Sequence, residues 1–145
     1  MAINNNIPST QLDLATDLEA VACTAHYKGI QVNICNLYLP EHEIVTCDKI
    51  DNLLKSIPDP KIVLGDINAK HVSWGSPINN NRGILLLDQF HNNGLFVLND
   101  GSPTRYDKHR NTYSHIDLSC CSLSISSNFT WSVMEQIYNS DHFPI

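Results

Sequence analysis

The chain has 145 residues, of which 42% are hydrophobic and 17% charged, and its formal net charge is −6. This length predicts a single domain, and six glycines and seven prolines are too few for a collagen-like or low-complexity chain. The negative charge disfavours non-specific nucleic-acid binding, which depends on phosphate contacts. A metal site built from carboxylates is nevertheless acidic before its metal binds.

The sequence contains no apolar run long enough to span a bilayer, and residues 1–12 lack a secretory signal pattern. The five cysteines form no CxxC pair, so we expect free thiols in a reducing compartment. We therefore expect an intracellular protein, nuclear or cytoplasmic, with no membrane partner. No oligomeric state follows from the sequence.

The N-terminal part predicts strands. Residues 1–17 are polar and predict a poorly ordered segment or a partial strand, followed by one domain over residues 18–145. Alternating hydrophobicity over residues 19–27 and 30–37 predicts a hairpin with a turn at Lys28-Gly29.

A helix is predicted over residues 41–57, where apolar residues recur on one face: Ile50, Leu53, Leu54 and Ile57. Pro58 and Pro60 end it. The apolar run 61–64 then predicts a buried strand that leads into Gly65-Asp66-Ile67-Asn68.

The C-terminal part predicts a further helix over residues 82–93, with Gly94 as its C-cap, and a strand over residues 95–98. A long, turn-rich loop is expected over residues 99–111, and strands over residues 112–120 and 130–134. Strands that alternate with helices predict a layered α/β architecture.

Asp66 and Asn68 are two residues apart at the end of the predicted strand, so their side chains leave it on one face. A carboxylate beside an amide can orient water and hold a hard cation such as Mg²⁺. The same residues also suit an ordinary strand-to-turn exit. His71 and Trp74 follow within one loop.

His142 requires a carboxylate or carbonyl partner to fix its tautomer before it can act chemically. Its neighbour Asp141 would point to the opposite face of an extended strand, so Asp117 from another strand is the better geometric candidate. A simply solvated aspartate is the alternative interpretation of Asp117.

Tyr38 stands at a strand end before Pro40, where a tyrosine is most often a core residue with its hydroxyl at the rim. A basic cluster in the long loop suits either solvation or phosphate contact; it comprises Arg105, Lys108, His109 and Arg110. The other histidines lack HxH or HxxxH spacing, so no transition-metal site is expected.

Four motifs occur in order: Tyr38-Leu39-Pro40, Gly65-Asp66-Ile67-Asn68, Ser114-His115-Ile116-Asp117, and residues 140–145. Together they resemble the exonuclease–endonuclease–phosphatase superfamily, which has the DNase I-like fold. The strings at residues 68–75, 82–83 and 98–105 resemble, more narrowly, the endonuclease domain of jockey-like non-LTR retrotransposons.

This resemblance implies an α/β fold, a four-layer αββα sandwich that we expect to be incomplete at its N-terminal and C-terminal edges. It also implies a Mg²⁺-dependent DNA endonuclease, with Mn²⁺ as a possible substitute. Such a domain nicks target DNA, and a reverse transcriptase domain follows it in the full-length element.

The resemblance assigns catalytic roles by position. Asp66 corresponds to the residue that positions or activates the attacking water, and Asn68 to the amide that helps hold the water and the phosphate. His142 stabilises the transition state, Asp117 orients His142, and Tyr38 helps bind the phosphate.

Asp141 corresponds to an acid near the metal, and the residues expected to contact DNA are His71, Trp74, Thr104, Arg105, Lys108 and Arg110. The family's principal metal ligand, a glutamate, has no match here, since Glu19 lacks the surrounding pattern. We therefore expect weak or no activity from this chain. The alternatives are a phosphatase or deadenylase of the same superfamily, or a non-catalytic remnant that binds nucleic acid or a partner.

Overall fold

The computed structural model describes residues 3–27, 29–134 and 138–145. Within them lie the strands β1 (Ser9–Leu12), β2 (Glu19–Tyr27), β3 (Ile30–Tyr38), β4 (Lys61–Asp66), β5 (Leu95–Val97), β6 (Arg105–Asp107), β7 (Thr112–Ser114) and β8 (Asp117–Ser122), and the helices α1 (Cys47–Ser56) and α2 (Asn81–Asn92). Six strands form one sheet in the order β1-β2-β3-β4-β8-β5, and β6 pairs with β7 in a second sheet.

The predicted N-terminal hairpin is confirmed. β2 and β3 pair antiparallel from Glu19 opposite Tyr38 to the residues beside the turn. In that turn Gly29 adopts a positive φ of 80°, whereas Lys28 lies outside the described residues. The segment 1–17 contains a strand, since β1 adds to the free edge of β2.

β4 lies inside the sheet, parallel to β3 and antiparallel to β8. On one face of these three strands, Cys35, Val63 and Cys120 stand level with one another and are fully buried. Both helices pack there, and the predicted face of α1 is buried as expected: Ile50, Leu53, Leu54 and Ile57. Each large side chain buried in this way stabilises the fold by about 1.5–3 kcal/mol.

The helices begin at polar caps. The prediction that the first helix starts at residue 41 is wrong, because the Thr46 hydroxyl accepts the backbone N–H of Lys49 and fixes the start at Cys47. α2 begins one residue earlier than predicted, since the Asn80 side chain accepts the N–H of Gly83.

The predicted strand over residues 112–120 is divided between the two sheets. Its break falls at Ile116, where the Thr104 hydroxyl accepts the backbone N–H groups of Ile116 and Asp117, each at 3.1 Å. The preceding half pairs with β6, so the predicted loop over residues 99–111 contains a strand. The predicted strand over residues 130–134 is wrong: these residues join no ladder, and a 3₁₀ turn, Leu123–Asn128, precedes them.

The face of the large sheet opposite the helices is partly covered. Residues 138–145 and the β6–β7 hairpin approach one end of it, where Phe143 donates its N–H to the Thr104 carbonyl. Elsewhere on this face an apolar groove of about 410 Å³ remains, lined by residues that include Val32, Ile34 and Ile62. In the part of the chain described here, neither helix is long and apolar enough to cross a membrane.

None of the five cysteines forms a disulfide, as predicted, and four of them are buried. Burial raises the pKa of Cys35 to about 12. Burial also raises the pKa of Cys23, Cys120 and Cys121, so the four buried thiols are protonated at neutral pH.

Gly65→Ala is expected to destabilise the fold by about 2 kcal/mol or more. Gly65 has a φ of 144°, and an added Cβ would lie 2.0 Å from the Leu37 carbonyl oxygen. Gly94→Ala is the matched control, because Gly94 also has a positive φ, 65°, but an added Cβ would meet nothing within 4 Å. We expect this control to cost about 1 kcal/mol of strain. Urea denaturation of both variants measures the free energy of unfolding. Equal losses of stability in the two variants would contradict the close approach of Gly65 to the Leu37 carbonyl.

Candidate active site

The large sheet brings three predicted site residues into one row. Asn36 is level with Leu64 in the parallel register, so Tyr38 is level with Asp66, two residues further along each strand. Asp66 in turn pairs with Asp117 across the antiparallel register. Because alternate residues share a face, all three side chains leave the sheet opposite the helices. Glu19, opposite Tyr38, stands exposed at the outer end of this row.

Asn68 is fixed beside the end of β4. The Ile67 N–H donates to the Ile116 carbonyl at 2.9 Å, and Asn68 then adopts a left-handed backbone with φ 47°. Asparagine tolerates this conformation better than most residues. Its side-chain amide donates to the Leu39 carbonyl at 3.1 Å, which ties the loop after β3 to the loop after β4.

His142 contacts Asp117, as predicted from the sequence. Its Nδ1 lies 3.0 Å from Oδ1 and 2.9 Å from Oδ2 of the carboxylate. A β-bridge to Arg105 holds the His142 backbone in place. The Asp117 side chain is only 13% exposed, so water competes weakly for this contact. An imidazole held through Nδ1 presents Nε2 to an incoming group.

Asp66 carries an unpaired carboxylate oxygen. Within the described residues its Oδ1 is buried without a hydrogen-bond partner. Burial, reinforced by the negative charge of Asp117, raises the pKa of the Asp66 carboxyl above its usual range. A buried polar atom without a partner is uncommon and suits a water molecule or a cation.

The donor set fits a hard divalent cation. Asp66, Asp117 and His142 bring ligand atoms within 4.8 Å of one another. The two oxygens of Asp117 already face the His142 ring, which leaves Asp66 Oδ1 as the free donor of this cluster. Carboxylate oxygens are the ligands that Mg²⁺ prefers.

Asp141 lies apart from this cluster in the structure. Its Oδ2 accepts the Nε–H of Arg105 at 2.7 Å, and this guanidinium lowers the pKa of the Asp141 carboxyl. Asp141, predicted to lie near the metal, is therefore paired with Arg105, predicted to contact DNA. Their tie links β6 to the segment that carries His142.

Three of the residues predicted to contact DNA make contacts within the fold. Trp74 is fully buried, with its indole N–H directed at the Ala69 carbonyl, and Thr104 is fully buried beneath the start of β8. Neither side chain reaches the surface, so direct contact with a substrate is not consistent with the structure. His71 caps the turn before Trp74 by accepting the Ser73 N–H at 3.1 Å.

A polar cleft of about 580 Å³ extends from Asn68 between the β6–β7 hairpin and the start of α2. Its lining includes Lys70, Arg82, Arg105, Arg110 and His115. Arg110 is 83% exposed at the hairpin turn, beside exposed Lys108. The sequence indicated no ligand role for Lys70 or His115, because nothing in their local pattern shows that these distant segments converge.

A family model described as "Endonuclease-reverse transcriptase" matches residues 32–145. The chain belongs to this endonuclease–reverse transcriptase family. It is 34% identical over 112 residues to a probable RNA-directed DNA polymerase from transposon X-element of Drosophila melanogaster, covering 75% of this chain and 12% of that protein. It is 33% identical over 75 residues to the RNA-directed DNA polymerase from mobile element jockey of the same species, covering 52% and 8%.

The fold is similar to the endonuclease domain of TRAS1, a telomere-specific non-LTR retrotransposon, with a TM-score of 0.84 and 24% identity. That match covers 97% of this chain and 67% of the TRAS1 chain. The expected relation to jockey-like retrotransposon endonucleases and the DNase I-like α/β fold are both confirmed. The chain spans about one tenth of the length of its curated relatives.

Asp66→Asn is expected to stabilise the protein at neutral pH in the absence of divalent cations. The raised pKa of Asp66 means that the folded state disfavours the carboxylate. The contribution of Asp66 to the stability of the fold is therefore most favourable below its ordinary pKa of 3.8. That contribution is lost as the pH rises through the raised pKa of the folded state. Thermal unfolding from pH 3 to 8 should show a gain for the variant that grows with pH.

Asp88→Asn is the control for this measurement, because Asp88 is exposed on α2. It should leave the unfolding temperature almost unchanged. A gain for Asp66→Asn that did not vary with pH would refute the electrostatic explanation.

Proposed function

We propose that this chain is a Mg²⁺-dependent endonuclease domain that nicks DNA by hydrolysis of a phosphodiester bond. The observation that carries the proposal is the His142–Asp117 pair beside the unpaired Asp66 carboxylate, at one end of three adjacent strands. Water attacks phosphorus, the bond from phosphorus to the 3′ oxygen breaks, and the 3′ oxygen takes a proton from solvent. The products are a 3′-hydroxyl and a 5′-phosphate.

Each residue of the site suits one part of this reaction. Asp66 orients the attacking water and accepts a proton from it. His142 donates from Nε2 to a phosphate oxygen as negative charge develops, and Asp117 stabilises the protonated imidazole. Asn68 and the Tyr38 hydroxyl bind the phosphate.

Mg²⁺, or Mn²⁺ in its place, would be held by the Asp66 carboxylate and would supply positive charge to offset that on the leaving oxygen. Among the described residues no further carboxylate joins Asp66 and Asp117 in the cluster. Asp117 is engaged by His142, and Asp141 by Arg105. We therefore expect weak metal affinity and weak activity from this chain.

DNA would bind through the cleft and the hairpin beside it. Arg105 and Lys70 lie along the cleft, and Lys108 and Arg110 extend from the hairpin turn. Because the whole chain is acidic, with a net charge of −6, binding requires this local concentration of positive charge. Since the curated relatives are named as RNA-directed DNA polymerases, we propose that a reverse transcriptase domain follows in the full-length element.

Asp66→Ala and His142→Ala are each expected to reduce nicking of supercoiled plasmid in Mg²⁺ by about 100-fold or more. Asp117→Asn should reduce it by about 10-fold or more, because the imidazole loses its charged partner. Gel separation of supercoiled and nicked DNA measures the rate, with Asp88→Asn as the control and a chelator as the metal test. DNA binding that persists in chelator, with no nicking in Mg²⁺, would instead support a non-catalytic binding domain.

The double variant Lys108→Ala, Arg110→Ala is expected to weaken duplex binding by a similar factor for every DNA sequence. Each lost phosphate contact should lower the slope of log affinity against log salt by about 0.9. Fluorescence anisotropy at several salt concentrations measures this slope. Lys55→Ala removes an exposed cation from α1 and should not change it. An unchanged slope in the double variant would exclude the hairpin from the DNA interface.

A further inference from the structure

Arg82 occupies a position that the helix itself disfavours. It lies in the first turn of α2, where the helix dipole is positive and a cation is unfavourable. That turn contains no acidic residue to offset the charge. The reason for an arginine here must therefore lie in what its guanidinium contacts.

The guanidinium donates to backbone carbonyls in two separate loops. Nη1 lies 3.2 Å from the Leu39 oxygen and 3.4 Å from the Ile67 oxygen. Nη2 lies 3.0, 3.1 and 2.7 Å from the oxygens of Pro40, Glu41 and Glu43. A planar guanidinium with five donors can connect several acceptors in this way, whereas the ammonium of lysine is a single point.

The two loops are those that carry the candidate catalytic residues. Leu39 and Pro40 directly follow Tyr38, and Ile67 lies between Asp66 and Asn68. Asn68 also donates to the Leu39 carbonyl, so Arg82 and Asn68 share one acceptor. The Leu39 N–H completes the junction by donating to the Asp66 carbonyl at 2.9 Å.

The start of α2, which carries Arg82, is itself held in place. Asn80 accepts the N–H of Gly83 at 2.7 Å and that of Lys70 at 3.1 Å. A Cβ on Gly83 would lie 2.0 Å from the Lys70 carbonyl oxygen, so the start of α2 touches that backbone directly. The guanidinium is therefore held at a defined place relative to both loops.

We propose that Arg82 is a positioning residue that holds the Tyr38 loop against the Asp66–Asn68 loop and so sets the geometry of the active site. It contacts backbone carbonyls of both loops, and it acts through Tyr38 and Asn68. The effect on catalysis rests on the endonuclease function proposed above, whereas the junction that Arg82 makes between the two loops does not.

Hydrogen exchange of the Leu39 amide tests the junction directly. In Arg82→Ala and Arg82→Lys we expect this amide to exchange at least 10-fold faster than in the wild-type chain. The core amides of Leu54 and Cys120 should keep their protection. Lys55→Ala, which removes an exposed cation from α1, should change none of these rates. Unchanged exchange at Leu39, or equal acceleration at the core amides, would overturn the proposal.

Plasmid nicking then tests the consequence for the reaction. We expect Arg82→Lys to lower kcat at least 10-fold with KM almost unchanged, at a temperature where exchange shows the core intact. A variant with faster Leu39 exchange but unchanged kcat would overturn the positioning role. If the wild-type chain does not nick DNA, the endonuclease proposal fails, while exchange at Leu39 still decides whether Arg82 holds the junction.

Discussion

The ladder of β4 with its two neighbours is the constraint on which the rest of the structure depends. β4 pairs parallel with β3 and antiparallel with β8, so a single register fixes three strands at once. A shift of one residue in β4 would turn Asp66 toward the helices and Val63 toward the opposite face of the sheet. The same register that buries Val63 between Cys35 and Cys120 therefore aligns Asp66 with its partners.

Side chains supply the backbone partners that the sheet lacks where β8 begins. Asn99 donates to the Asp117 carbonyl and accepts the Ser119 N–H, each at 2.9 Å. Thr104 accepts the Asp117 N–H from the other side. Both residues are buried, so these bonds are protected from water. Asp117 is thus held through its backbone, and its carboxylate is free to orient His142.

The sequence predicted those features that depend on local periodicity or on motif order. β2 follows from alternation, β4 from its apolar run and the buried face of α1 from helical spacing, and the Asp117–His142 contact follows from strand geometry. Several of the errors have a common physical cause. The break after β7, the strand β6 and the burial of Thr104 and Trp74 all depend on tertiary hydrogen bonds and packing. These contacts form only when segments meet in the folded chain, and none of them leaves a hydrophobic period within its own segment.

Some charged side chains at the site make structural contacts, whereas others are available for the reaction. Arg105 and Asp141 satisfy each other and fasten the segment before Phe143 to β6. Arg82 donates hydrogen bonds to neutral backbone carbonyls and so connects two loops. Asp66 alone among the carboxylates of the cluster retains a buried oxygen without a partner. A buried oxygen without a partner costs stability, and a water molecule or a cation would supply that partner. The Arg105–Asp141 pair and the contacts of Arg82 hold the segments beside Asp66, so Asp66 stays in place despite that cost.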